Sequence, residues 1–218
     1  MELVNIKIEG QEYQVEKGLT IMEAARKCGY EIPSLCTDNH GECSLASCRV
    51  CVVEAQEGKG PNRLVASCVY PVSEGMNITI GSPKATTARR TSVELLLSNH
   101  NKNCLSCKRN QNCELQRLTE ELGIRENRFE GEKTAATYED FSYGIVRDTS
   151  KCVLCERCVE TCKKVQGLGI LGLEHRGFKT IVAPVYNLSF ADVNCMQCGQ
   201  CVINCPVGAL TEKEDTMK

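Results

Sequence analysis

One cysteine run occurs twice towards the C-terminal end of the sequence, and it constrains the fold more than any other feature. The first copy is Cys152, Cys155, Cys158 and Cys162; the second is Cys195, Cys198, Cys201 and Cys205, followed by Pro206. Thiols placed in such short steps cannot staple distant elements together, so the runs do not read as a disulfide framework. A pair of zinc ribbons would need two separated cysteine pairs around each tetrahedral ion. Three thiolates two residues apart instead wrap one cubane [4Fe-4S] cluster. The fourth, set off by three more residues, crosses to a second cluster, and the proline after it stops the loop path from continuing. The spacing predicts one cluster on Cys152, Cys155, Cys158 and Cys205, and another on Cys162, Cys195, Cys198 and Cys201.

Composition narrows the setting. Seventeen cysteines in 218 residues would mean disulfides in a short secreted protein. Yet Met1-Glu2-Leu3-Val4-Asn5 has no basic stretch leading into an apolar one, and no later stretch is apolar enough to span a bilayer. The odd count also leaves one cysteine unpaired. A reducing cytoplasm is the expected compartment. The formal net charge of −2 carries no nucleic-acid footprint. With 5% aromatic residues and no Trp, the core is limited, so metal clusters are expected to supply folding free energy as well as chemistry.

Taken in order, Leu3 to Ile8 alternates apolar and polar like a half-buried strand. A turn at Glu9-Gly10 leads to a second strand at Tyr13 to Val15. Thr20 with Glu23 forms a capping box for a helix that Gly29 stops, with Ile21, Ala24, Ala25 and Cys28 on one face. Two strands and a packed helix open a β-grasp fold. The segment that follows holds Cys36, Cys43, Cys48 and Cys51, then a strand at Val52-Val53-Glu54 and a distant Cys68. A loop of small residues ending in Cys-x2-Cys, with a remote fourth cysteine, suits a plant-type [2Fe-2S] cluster. Either Cys43 or Cys36 completes the set with Cys48, Cys51 and Cys68. Cys28 reads as a small core residue.

Pro83 to Asn99 has a helical pattern, with Ala88, Val93, Leu96 and Leu97 as an apolar stripe and Arg89 and Arg90 solvated. It delivers His100, Cys104, Cys107 and Cys113, four donors that fit either a zinc ion or a [4Fe-4S] cluster with one imidazole. A short helix from Glu114 to Leu122 ends at Gly123. Residues 125–147 read as a linker with some strand near Tyr143 to Arg147. Gly167 to Gly172 matches G-x-G-x-x-G, but it follows a cluster-binding segment rather than a strand, so a loop between the two runs is expected there instead of a nucleotide site. Gly177 to Val185 alternates like a strand pair or edge. His40 and His175 are isolated.

The fold class is therefore α+β in four parts: a [2Fe-2S] β-grasp domain (1–81), a small helical His/Cys3 domain (82–124), the linker (125–147) and a bacterial 2[4Fe-4S] ferredoxin-like domain (148–218). This order resembles the N-terminal cluster-bearing region of NAD(P)-linked [FeFe]-hydrogenases and of the large iron–sulfur subunit of complex I. Ala46 through Glu54, His100 through Leu115, and Cys198 through Leu210 carry the resemblance, which covers essentially the whole chain. It implies a [4Fe-4S] cluster, not zinc, on His100, Cys104, Cys107 and Cys113. It also implies Cys36, not Cys43, as the [2Fe-2S] ligand, because the family uses a long loop there. The cofactors implied are one [2Fe-2S] and three [4Fe-4S] clusters.

The sequence ends before any motif for a hydrogen-activating cluster, so the resemblance points to the short form of this subunit found in soluble electron-bifurcating hydrogenase or transhydrogenase complexes. Implied partners are a flavin- and NAD(P)-binding iron–sulfur subunit, a thioredoxin-like [2Fe-2S] subunit, ferredoxin, and a catalytic hydrogenase or transhydrogenase subunit. The alternatives are a free polyferredoxin, a cluster module of a formate dehydrogenase-type complex, an enzyme in its own right and a zinc-binding structural module. No hydrolytic triad order, phosphate loop in context or open metal site supports an independent enzyme.

Overall fold

A computed structural model describes residues 2–37 and 45–213; His40 and Cys43 lie outside them. The chain divides into two compact units, and the division falls between Val93 and Glu94. Together they make a mixed α/β protein.

In the first unit, β1 (Leu3–Ile8) and β2 (Gln11–Glu16) form a hairpin, with Leu3 opposite Glu16 and Ile8 opposite Gln11. Its two-residue turn has positive φ at both Glu9 (50°) and Gly10 (81°), the backbone twist that suits flanking strands. Alternation along β1 buries Val4, Ile6 and Ile8. Helix α1 (Ile21–Lys27) starts at Thr20, whose hydroxyl accepts from the Glu23 N–H at 3.2 Å while its own N–H donates to the Glu23 carboxylate at 2.7 Å. Strands β3 (Val52–Gln56), β4 (Arg63–Ala66) and β5 (Met76–Thr79) complete a sheet of order β2-β1-β5-β3-β4. Only β1 and β5 run parallel. Ile21, Ala24 and Ala25 of α1 join the buried side chains of this sheet in one core, with Cys28 at its edge.

Helix α2 spans Pro83–Asn99, and its buried stripe differs from the expected one. Ala85, Arg89 and Val93, four residues apart, are buried, whereas Ala88, Leu96 and Leu97 are half-buried. Arg89 is not solvated: it is 7% exposed, and its Nε donates to the Val52 carbonyl at 2.9 Å. A main-chain acceptor on another element outweighs hydration here, and such an acceptor is invisible in the helix's own pattern. Arg90 is exposed.

In the second unit, α3 spans Glu114–Glu121. Strand β7 (Ile145–Asp148) lies between β6 (Tyr138–Glu139) and the C-terminal β10 (Leu210–Glu212), so the strand expected near Tyr143 to Arg147 is present as β7, and the stretch read as linker also holds β6. Between β7 and β10 come the short helices α4 (Arg157–Glu160) and α5 (Gln200–Ile203) and a hairpin of β8 (Leu171–Glu174) and β9 (Ile181–Pro184). Gly172 sits in β8 and no helix opens after it, so the glycine motif lacks the context of a phosphate loop. Among the described residues, no helix is long and apolar enough to cross a membrane.

A buried ion pair centres the second sheet. Arg147 Nε donates to Glu139 Oε2 at 3.0 Å, and its Nη2 donates to Asn187 Oδ1 at 2.9 Å. Glu139 Oε1 accepts from the Phe190 N–H at 2.7 Å. Both side chains are about 95% buried, where removing one partner leaves the other charged and uncompensated. Arg147→Met is therefore expected to cost about 3–5 kcal/mol, read as a lower denaturation midpoint of the second unit. Pairing it with Glu139→Leu should recover most of that loss.

Candidate metal centres

The four cysteines expected in the first unit lie in two close pairs. Cys36 and Cys48 share the Ser34 hydroxyl, each sulfur 3.8 Å from Oγ, while Cys51 Sγ and Cys68 Sγ are 3.4 Å apart. All four are at most 3% exposed. The Leu35 and Val50 N–H groups donate to Cys48 Sγ at 3.4 and 3.5 Å. Ala46 and Arg49, either side of Cys48, hold the loop with φ of 51° and 56°. Two pairs of sulfurs, dry and fed by backbone N–H groups, suit a diiron cluster with two thiolates on each iron. The pairing also couples the thiols. The hydrogen bond with Cys36 pushes Cys48 up, and hydrogen bonds with Cys36 and Cys51 push Cys68 up. Hydrogen bonding to Cys48 and Cys68 holds Cys36 down, and that to Cys68 holds Cys51 down to about 6.

In the second unit the two runs curl alike. Leu154 and Glu156 have φ of 51° and 61°; Gln197 and Gly199, at the same positions of the second run, have 54° and 73°. Each curl ends in a short helix, α4 or α5, whose second residue is the third cysteine, Cys158 or Cys201. One small cavity is walled by Cys152, Cys155, Cys158 and Cys205 together with Val182 and Val207. A second is walled by Cys162, Cys195, Cys198 and Cys201 together with Leu168 and Phe190. The fourth cysteine of each run thus faces the other run's cavity. The donors stand round a space rather than meeting at a point: among the described residues no three His, Cys, Asp or Glu side chains converge as they would on one ion. Leu154 N–H donates to Cys152 Sγ at 3.4 Å, and Ile170 N–H to Cys162 Sγ at 3.3 Å.

Burial pushes the Cys152 and Cys201 thiols up to about 12 and raises those of Cys155, Cys158 and Cys205. Such thiols keep their protons until iron displaces them. Ligation therefore releases protons and weakens as pH falls.

His100, Cys104 and Cys113 line a third, more open cavity. His100 is 8% exposed, its ring hydrogen-bonds the Lys151 backbone, and Nδ1 is buried without a hydrogen-bond partner among the described residues. Burial lowers its pKa, which favours a neutral ring with a lone pair to offer. A ring tethered through one nitrogen and orphaned at the other is the arrangement a metal-bound imidazole takes. Cys107 approaches Gly208 so closely that a Cβ there would lie 2.5 Å from its sulfur. Arg109 Nη2 donates to the Cys205 carbonyl at 2.5 Å, and Arg157, 5% exposed, forms a bidentate pair with Glu114 at 2.7 Å to each oxygen. These arginines and Gly208 were not foreseeable from spacing; only the position of Arg157 one residue before Cys158 hinted at a role. His175 is exposed.

Residues 1–83 match the 2Fe-2S iron–sulfur cluster binding domain, 89–128 the NADH-ubiquinone oxidoreductase-G iron–sulfur binding region, and 151–209 the 4Fe-4S dicluster domain. The NADP-reducing hydrogenase subunit HndD of Solidesulfovibrio fructosivorans is 43% identical over 98% of this chain and 37% of its own length. The NADH-ubiquinone oxidoreductase 75 kDa subunit of Reclinomonas americana is 36% identical over 97% of this chain and 30% of its own length. The chain is similar to the iron–sulfur portions of these hydrogenase and complex I subunits. It spans only about a third of the length of those relatives. A chain in the crystal structure of an NAD+-reducing [NiFe]-hydrogenase in the H2-reduced state superposes with a TM-score of 0.87 at 28% identity, over 97% of this chain and 88% of that one.

The Gly208 contact gives a direct test. Gly208→Ala must displace the Cys107 sulfur. On the reading that the His100 set holds a four-iron cluster, iron content should fall by about four atoms per chain, with the remaining iron–sulfur signals retained in low-temperature EPR.

Proposed function

We propose that this chain is the electron-relay subunit of an NAD(P)-linked oxidoreductase complex. It would hold one [2Fe-2S] cluster on Cys36, Cys48, Cys51 and Cys68, and [4Fe-4S] clusters on His100/Cys104/Cys107/Cys113, Cys152/Cys155/Cys158/Cys205 and Cys162/Cys195/Cys198/Cys201. In this reading residues 1–81 are a β-grasp domain and residues 148–218 a ferredoxin-like one. The observation that carries the proposal is the pair of cavities, each walled by three cysteines of one run and the fourth of the other.

When bound, such clusters supply one-electron transfer. The chain's own residues hold them apart, exclude water and aim N–H groups at sulfur. The [2Fe-2S] site is the driest, whereas Cys104 and Cys198 are exposed, so electrons enter or leave most directly through those two sites. The partners would be a flavin- and NAD(P)-binding subunit, a thioredoxin-like [2Fe-2S] subunit, ferredoxin and a catalytic hydrogenase or transhydrogenase subunit, in a complex that bifurcates electrons. The hydrogenase names of the relatives favour this over a free polyferredoxin.

Anaerobic purification should yield a brown protein with about fourteen iron atoms per chain, two in the [2Fe-2S] cluster and four in each of the others, together with a bound flavoprotein. A colourless, iron-poor or zinc-dominated preparation would reject the assignment. Isolation as a fully active monomeric carrier would reject the subunit role. His100→Cys replaces a neutral ligand by an anionic one. It should keep the iron and lower that cluster's midpoint by more than about 59 mV, a tenfold change for one electron. An unchanged titration would remove His100 from the ligand set.

A further inference from the structure

Arg89 stands in the middle of α2's buried stripe, between Ala85 and Val93, which are both fully buried. A helix face of that kind ordinarily carries an aliphatic residue at such a position. The guanidinium is 7% exposed; Nε donates to the Val52 carbonyl, and Nη2 is buried without a hydrogen-bond partner among the described residues. Burial makes its charge harder to hold. A buried cation persists only where something negative offsets it. The two groups whose negative charge would favour its cation are Cys51 and Glu9. Glu9 lies on the exposed turn, and its Oε1 is already occupied by the Ile80 and Gly81 N–H groups at 2.5 and 2.9 Å. Cys51 is fully buried and directly precedes Val52, the residue that anchors Arg89.

We infer that Arg89 is a positioned counter-charge for the [2Fe-2S] site. This rests on the cluster assignment proposed above. An electron added to that cluster brings one more negative charge into a site walled by four buried thiolates. Bulk water is kept away there, so a fixed neighbouring cation is screened far less than it would be at the surface. Arg89 stabilises the reduced form over the oxidised one and raises the potential of this cluster alone. The electron is gained by the iron pair and comes from an external reductant; Arg89 stays protonated throughout and exchanges no proton.

The test uses the full chain, loaded with iron and titrated anaerobically with dithionite and mediator dyes while the [2Fe-2S] EPR signal is followed. Arg89→Gln, and Arg89→Met as a second neutral side chain, should lower the reduced-to-oxidised ratio at the wild-type midpoint at least tenfold, about 59 mV for a one-electron couple. Arg89→Lys should recover most of that shift, and the [4Fe-4S] midpoints should stay put in all variants. A wild-type midpoint in either neutral variant overturns the inference. So does a shift in Arg89→Lys as large as in Arg89→Gln, which would mark a packing effect. Failure of the cluster assignment itself looks different: the unaltered chain would then lack a [2Fe-2S] signal.

Discussion

Sulfur atoms two residues apart can face one centre only where the backbone between them reverses its hand. Both runs meet that demand at the same two positions, Leu154 and Glu156 in one and Gln197 and Gly199 in the other. Only one of the four is glycine. A left-handed backbone costs each of the other three about 1–2 kcal/mol. On the proposed assignment, metal loading would be coupled to folding in this region, because the ligands come together only in the folded chain. The same curl turns the Leu154 N–H onto Cys152 Sγ. Strain and sulfur solvation thus have one geometric origin.

The two units meet the shortage of large apolar residues differently. The first has a conventional core of Val, Ile and Met between sheet and helix, and its cluster loop is attached to that core through β3 and α2. The second has small helices and short strands, and arginines provide much of its cross-linking. Arg147 joins β7 to β6 and to Asn187; Arg157 joins α4 to α3; Arg109 reaches from the Cys107–Cys113 loop to the Cys205 carbonyl. Buried pairs of this kind contribute little net stability over an apolar equivalent. Their directional geometry fixes which segment lies beside which, and the proposed ligand sets would require that.

The elements with a strong local rule were legible in the sequence: the β1 alternation, the Thr20–Glu23 box, the Gly29 stop and the repeated cysteine spacing all correspond to features of the structure. What escaped notice depended on partners far along the chain. A strand near Tyr143 to Arg147 is expected from the sequence, but its partners are not: β7 pairs residues 145–147 with 210–212 and residues 147–148 with 138–139, and a pairing between short strands about sixty residues apart leaves no periodic trace. Arg89 looked like any surface arginine because its acceptor, the Val52 carbonyl, belongs to a strand 37 residues earlier. Composition can announce that a site binds metal, but it cannot say which cation will be drawn in beside it.

Two of the proposed centres are joined by main chain rather than by side chains alone. The His100 ring hydrogen-bonds the backbone of Lys151, the residue before Cys152, while Asn101 N–H donates to the Ser150 carbonyl at 2.8 Å. On the other side, Glu114 N–H, next to Cys113, donates to the Pro206 carbonyl, next to Cys205, at 2.9 Å. Cys107 lies against Gly208 where no Cβ fits. Each contact ties a donor of the His100 set to a segment carrying Cys152 or Cys205. Their separation is therefore set by peptide geometry, which has few soft degrees of freedom, rather than by flexible side chains. For a relay whose rate depends on the distance between neighbours, a neutral imidazole has a further use. Its second nitrogen can hydrogen-bond the next segment, a connection that a cysteine ligand, with its single sulfur on the iron, has no N–H to make.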